Sequence, residues 1–137
     1  IIGNHPHNVQ PVERHRYLDN TTGQEKEGLI LYALGDLLSI HRTLPNSRLA
    51  CLARLRISKG KAGGKECTRV GSLDMLPVYL HVRKKKGECT DYRVLDFRKL
   101  AGELRSGIDR YTLGRIKTQE VFRLEALMHR VLHAALK

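Results

Sequence analysis

The spacing of apolar residues changes character near residue 98, and that change limits the possible folds more than any other feature of the chain. Before it, apolar side chains alternate with polar ones or form short bounded runs; after it, they recur at helical spacing. Leu49, Cys51, Ala53, Leu55 and Ile57 interleave with Arg48, Arg54, Arg56 and Ser58, which predicts a half-buried strand over 48–58. Leu29-Ile30-Leu31-Tyr32-Ala33-Leu34, bounded by Gly28 and Gly35, reads as a strand covered on both faces. Residues 76–82 form another strand with Pro77 near its start, where a missing N–H is tolerated. Residues 92–97 are a last short extended piece. Breaker-rich stretches place a loop at 3–8, a polar turn at 19–28, a flexible turn at 59–65 with residues 67–73 pairing back, and a basic loop at 83–88. Leu100, Leu104 and Ile108 then take helical spacing. Val121, Leu124, Leu127, Met128, Val131, Leu132 and Ala135 form the apolar stripe of a basic helix of roughly 20 residues. Strands first and helices last describe an α+β fold, with a strand-bearing part over 1–98 and a helical segment over 99–137.

Charge narrows the partners. The 137 residues carry 25 Lys+Arg against 14 Asp+Glu, a formal net charge of +11. Residues 1–47 hold four basic and five acidic side chains, so the surplus lies in the rest of the chain. Such a surface favours an anionic partner. That partner could be nucleic acid, anionic lipid or an acidic polymer; aromatic residues are 5% with no Trp, so stacking platforms for single strands are poorly supplied. No apolar run approaches the roughly 18 residues of a membrane-spanning helix. Cys51, Cys67 and Cys89 are odd in number and form no Cys-x-x-Cys pattern, which argues against a disulfide framework and a zinc knuckle.

The chemistry concentrates in His5-Pro6-His7. In extended backbone, residues i and i+2 face the same way, so both imidazoles can aim at one point, and Pro6 biases His5 toward that geometry. Paired imidazoles suit a borderline transition metal such as Zn, Mn or Fe. His129 and His133 at i and i+4 read as a surface pair and His15 and His81 as surface or edge residues; for His41, after the Leu37–Ile40 stretch, a place at the site's rim is the sharper and weaker reading. Arg83-Lys84-Lys85-Lys86 reads as a solvated hairpin tip, with polyanion contact as the sharper reading.

The run Ile1-Ile2-Gly3-Asn4-His5-Pro6-His7-Asn8-Val9-Gln10-Pro11-Val12-Glu13 resembles the late motif of the CapA family, the bacterial proteins of poly-γ-glutamate capsule synthesis, which is written I-G-x-H-P-H-x-x-Q-P and then an acidic residue. The family's Y-S-L-G-N-F strand motif has its counterpart in Leu31-Tyr32-Ala33-Leu34-Gly35-Asp36-Leu37, at the same distance. The resemblance covers roughly residues 1–40. It implies the later part of a calcineurin-like metallophosphoesterase, a four-layer α/β/β/α sandwich with two divalent metals, with His5 and His7 as metal ligands and Gly3 making the turn that presents them. Asp36 stands where the family has Asn and Ala33 where it has Ser, and Asp36 is the candidate catalytic residue. The family's other ligands, an Asp, a Glu and an Asn-His pair, precede this region, so the chain reads as part of a longer protein, and relatives are often membrane-anchored outside the cytoplasm. The implied activity is metal-dependent hydrolysis, with poly-γ-glutamate or a phosphoester as the anionic partner. The alternative is a non-catalytic basic module that binds polyanions.

Overall fold

A computed structural model describes residues 1–39, 46–86, 88–112, 114, 116 and 118–133. Five strands precede two helices: β1 (Val12–Asp19), β2 (Gln24–Leu31), β3 (Leu49–Ala62), β4 (Lys65–Lys85), β5 (Glu88–Asp96), α1 (Phe97–Arg105) and α2 (Thr118–His133). The class is α+β, with an antiparallel β1–β2 hairpin and an antiparallel β3–β4–β5 sheet.

Several boundaries differ from the sequence reading for identifiable reasons. The expected polar turn at 19–28 shrinks to residues 20–23, because β2 starts at Gln24 and pairs with Asp19. Arg14 pairs with Glu27 at 2.7 Å and Lys26 with Asp19, so cross-strand charges carry a stretch that has no apolar face. The 29–34 segment is half-buried: Leu29, Leu31 and Ala33 are inside, while Tyr32 points out. Ile1 and Ile2 are 85% and 63% exposed, and Ile2 makes an isolated parallel bridge to Leu31.

The flexible turn expected at 59–65 is a two-residue connection, Gly63-Gly64, with φ of 58° and 79°. Positive φ at both positions matches the twist of a tight hairpin. β3 and β4 therefore continue as one long ribbon, and the two strands expected at 67–73 and 76–82 merge into 21 residues. Alternation on β3 holds through Leu55 and fails at Ile57, which is exposed, because the register shifts between those residues where the ribbon leaves the core. Pro77 sits inside β4, paired with Cys51 on one side only; β5 begins pairing at Val78. A missing N–H is tolerated there for the same reason it is tolerated on an edge strand.

Asp96 caps α1, its carboxylate accepting from Lys99 N at 3.1 Å. The helix ends at Arg105, with Gly107 at φ 73°, so Ile108 lies beyond it and is part-exposed rather than on the expected stripe. Phe97, Leu100 and Ala101 of α1 and Val121, Leu124, Met128 and Val131 of α2 pack with Leu49, Cys51 and Tyr79 of the sheet as one core. No helix among the described residues is long and apolar enough to cross a membrane.

Candidate functional site

The two segments that carry the family-like motifs lie against each other. Val9 bridges Leu34, Gln10 N donates to Ala33 O at 3.0 Å, and Gly3 N donates to Leu31 O at 2.8 Å. Tyr32 Oη donates to Glu13 Oε2 at 2.7 Å, a bond that lowers the carboxyl of Glu13 and raises the phenol of Tyr32. Two glycines permit this closeness. A Cβ on Gly3 would stand 2.5 Å from the Tyr32 carbonyl oxygen, and one on Gly35 would stand 2.8 Å from that of Leu49. Gly35 also has φ 78°, a conformation that side chains resist.

This packing places Asp36, 5% exposed, beside the 3–8 loop. His7 Nδ1 and Asp36 Oδ1 are 2.8 Å apart, joining residues 29 positions distant in sequence. A carboxylate oxygen accepts, so in this pair the His7 Nδ1 is the donor. The second carboxylate oxygen, Oδ2, is buried and meets no hydrogen-bond donor among the described residues; the same holds for Asn8 Oδ1. Buried polar atoms of this kind carry a desolvation penalty of about 1–3 kcal/mol each.

The His5-Pro6-His7 segment is a turn, which corrects the extended geometry expected for it. His7 has φ 58°, in the left-handed region. The chain must reverse there so that Val9 can reach Leu34, and the bond to Asp36 holds the residue in place. A non-glycine residue in that region costs of order 1–3 kcal/mol, and such residues gather at functional sites. The two imidazoles are nevertheless neighbours, with centroids 6.4 Å apart and planes tilted by 47°. His5 is exposed and His7 half-buried.

A cleft of about 400 Å³ with a mostly apolar lining, including Ile2, Leu34, Leu37, Ala50 and Leu52, lies near Gly35, but His5, His7 and Asp36 are not among the residues that line it. Burial pushes the Cys51 thiol up to about 11, with the Arg98 guanidinium opposing, so this cysteine is a packing residue and not a nucleophile at neutral pH. Tyr92 Oη donates to the Leu37 carbonyl and ties the segment after Asp36 to β5. Nothing in the sequence marked this link, which spans 55 positions. Asn8, whose buried Oδ1 faces the same problem as Asp36 Oδ2, carries no signal of its own in the sequence.

Of the weaker histidine candidates, His15 is exposed on β1 as expected. His81 is not a surface residue: it is 4% exposed, covered on the helix-facing side of β4. His41 and the side chain of His133 lie outside the described residues. Among the described residues no group of three His, Cys, Asp or Glu side chains converges to hold a metal ion. No family model, curated protein or solved structure matches the chain.

Proposed function

We propose that this chain is the later part of a CapA-like protein of the metallophosphoesterase type, a metal-dependent hydrolase acting on an anionic polymer such as poly-γ-glutamate or on a phosphoester. The observation that carries the reading is the His7–Asp36 contact at 2.8 Å, which joins the two motifs on which the resemblance rests. The donor set fits one side of a divalent-metal site of the Zn, Mn or Fe kind: two neighbouring imidazoles, one of them gripped by a buried carboxylate with a spare oxygen. In this reading His5 and His7 are metal ligands, and the remaining ligands come from outside these residues. When bound, a metal pair supplies Lewis acidity and an activated water.

The chain's own residues do the rest. Asp36 accepts from His7 Nδ1 and so orients the ring, as a carboxylate partner does for a metal-ligating histidine. The left-handed turn at His7 and the close approaches at Gly3 and Gly35 fix where that ring sits. Manganese titration of the chain, followed by paramagnetic broadening of amide resonances, tests the proposal. Saturable broadening confined to residues 5–8 and 35–37 and lost in His5→Ala/His7→Ala supports it. In a protein that also carries the earlier ligands, metal stoichiometry unchanged by the double substitution would refute it.

A second reading, a basic module that binds polyanions without catalysis, draws on the β3–β4 ribbon. Arg56, Lys61 and Arg69 are exposed there and make no ion pair among the described residues, whereas Arg54 and Lys59 pair with Asp74 and Glu66. It predicts binding of poly-glutamate that falls steeply with salt and ignores chelators. Binding abolished by chelation would exclude it.

A further inference from the structure

The helix-facing side of the β4–β5 pair changes chemistry along its length. Tyr79 and Leu95 are paired at one end and belong to the core. The next pairs on the same face, by the two-residue period of a strand, are His81 with Arg93 and Arg83 with Asp91. Over them lies the segment after α1, which contributes Arg110, Tyr111 and Thr112. These seven residues line a polar pocket of about 210 Å³. We propose that this pocket binds a tetrahedral oxyanion of the phosphate class.

Three arginines line the pocket from three separate elements: Arg83 from β4, Arg93 from β5 and Arg110 from the connecting segment. Each is a planar fork of donors suited to oxygen anions, and forks arriving from several directions match an ion with oxygens on all sides better than a flat carboxylate. Two carboxylates temper the charge. Asp91 Oδ1 sits 3.0 Å from Arg93 Nε and orients that guanidinium, and Glu103 Oε1 is 4.0 Å from Arg110 Nε. Arginines still outnumber the acidic groups. His81 is 4% exposed and Thr112 is fully buried, whereas the three arginines are exposed, so the pocket has a covered side and an arginine-lined open side.

The roof is held independently of any ligand. Asp109 accepts from Tyr111 N at 3.2 Å, Thr112 N at 2.7 Å, Gly114 N at 2.6 Å and the Thr112 hydroxyl, which sets the backbone on either side of Tyr111. The pocket is also separate from the His7–Asp36 centre. Tyr92, which ties β5 to Leu37, points to the opposite face of the strand from Asp91 and Arg93.

The test is titration of the full chain with inorganic phosphate, at ionic strength held constant with chloride, read from amide chemical shifts. Saturable shifts are expected at residues 81, 83, 91–93 and 110–112. Arg93→Gln and Arg110→Gln should each weaken binding about tenfold, equivalent to 1.4 kcal/mol. Arg54→Gln on the distant ribbon should leave it unchanged and controls for general charge. Arg110→Lys, which keeps the charge and loses the fork, should fall between. Far-UV circular dichroism and thermal melting of each variant separate lost binding from lost folding. Shifts that never saturate, that acetate reproduces at equal concentration, or that survive Arg93→Gln/Arg110→Gln in a folded protein would overturn the proposal.

Discussion

Removing the imidazole of His7 leaves a buried carboxylate without its donor, and the size of that loss measures how the site is built. Asp36 is 5% exposed, with Oδ1 on His7 and Oδ2 already lacking a donor among the described residues. A hydrogen bond to a charged group contributes about 1.5–3 kcal/mol net, and a stranded buried acceptor costs of the same order. His7→Ala should therefore destabilise the chain by about 2–3 kcal/mol. Asp36→Ala removes the poorly solvated charge along with the bond, so its effect should be smaller, about 0–1 kcal/mol. In the double variant the two changes should fail to add, by about 1.5–3 kcal/mol, because each destroys the same contact. The chain has no Trp, so urea unfolding is best followed by far-UV circular dichroism, and midpoints compared at a common slope. For a chain of this size the His7→Ala change corresponds to a drop of about 10 °C in Tm. A His7→Ala protein within about 0.5 kcal/mol of the parent, or strictly additive substitutions, would refute the reasoning, since independent sites add within about that margin.

Other substitutions probe the frame around the site. Gly35→Ala places a methyl group 2.8 Å from the Leu49 carbonyl oxygen at a left-handed φ, and should lower unfolding free energy by about 2–4 kcal/mol. Gly23→Ala has φ 66° and open space, so the same measurement should show only about 1–2 kcal/mol. Phe97→Ala empties a fully buried position where α1 meets the sheet and should cost about 3–5 kcal/mol in a urea melt. Burial opposes ionisation of Asp109, yet bonds from Thr112, Gly114 and Tyr111 win and bring its carboxyl down to about 2 from an ordinary 3.8. A depressed folded value means that this stabilisation is complete above pH 3.8 and disappears as pH falls toward 2. Amide exchange at Tyr111, Thr112 and Gly114 should accelerate through that window, and Asp109→Ala should abolish the dependence.

Strand and helix content was legible because it rests on short-range periodicity: Leu49 to Leu55 alternate, and Val121 to Val131 keep helical spacing, whatever the rest of the chain does. The errors fall where burial depends on distant partners. Ile57 obeys the alternation and is still exposed, since the ribbon carries it past the core. His81 looked like an edge residue, but the segment after α1 folds over its face. The turn expected at 19–28 is shorter in the structure because charge pairs across β1 and β2 give no apolar signal.

The candidate site divides along the same line. Local sequence established the residue types and their order: two histidines flanking a proline, a glycine before an aspartate, and the change of period that makes the fold α+β. Tertiary structure decided that His7 turns left-handed, that its ring meets Asp36 across 29 positions, and that three arginines from separate elements line one pocket. Those outcomes depend on strand register and on which layer covers which face, and both are set by contacts between segments far apart in the chain.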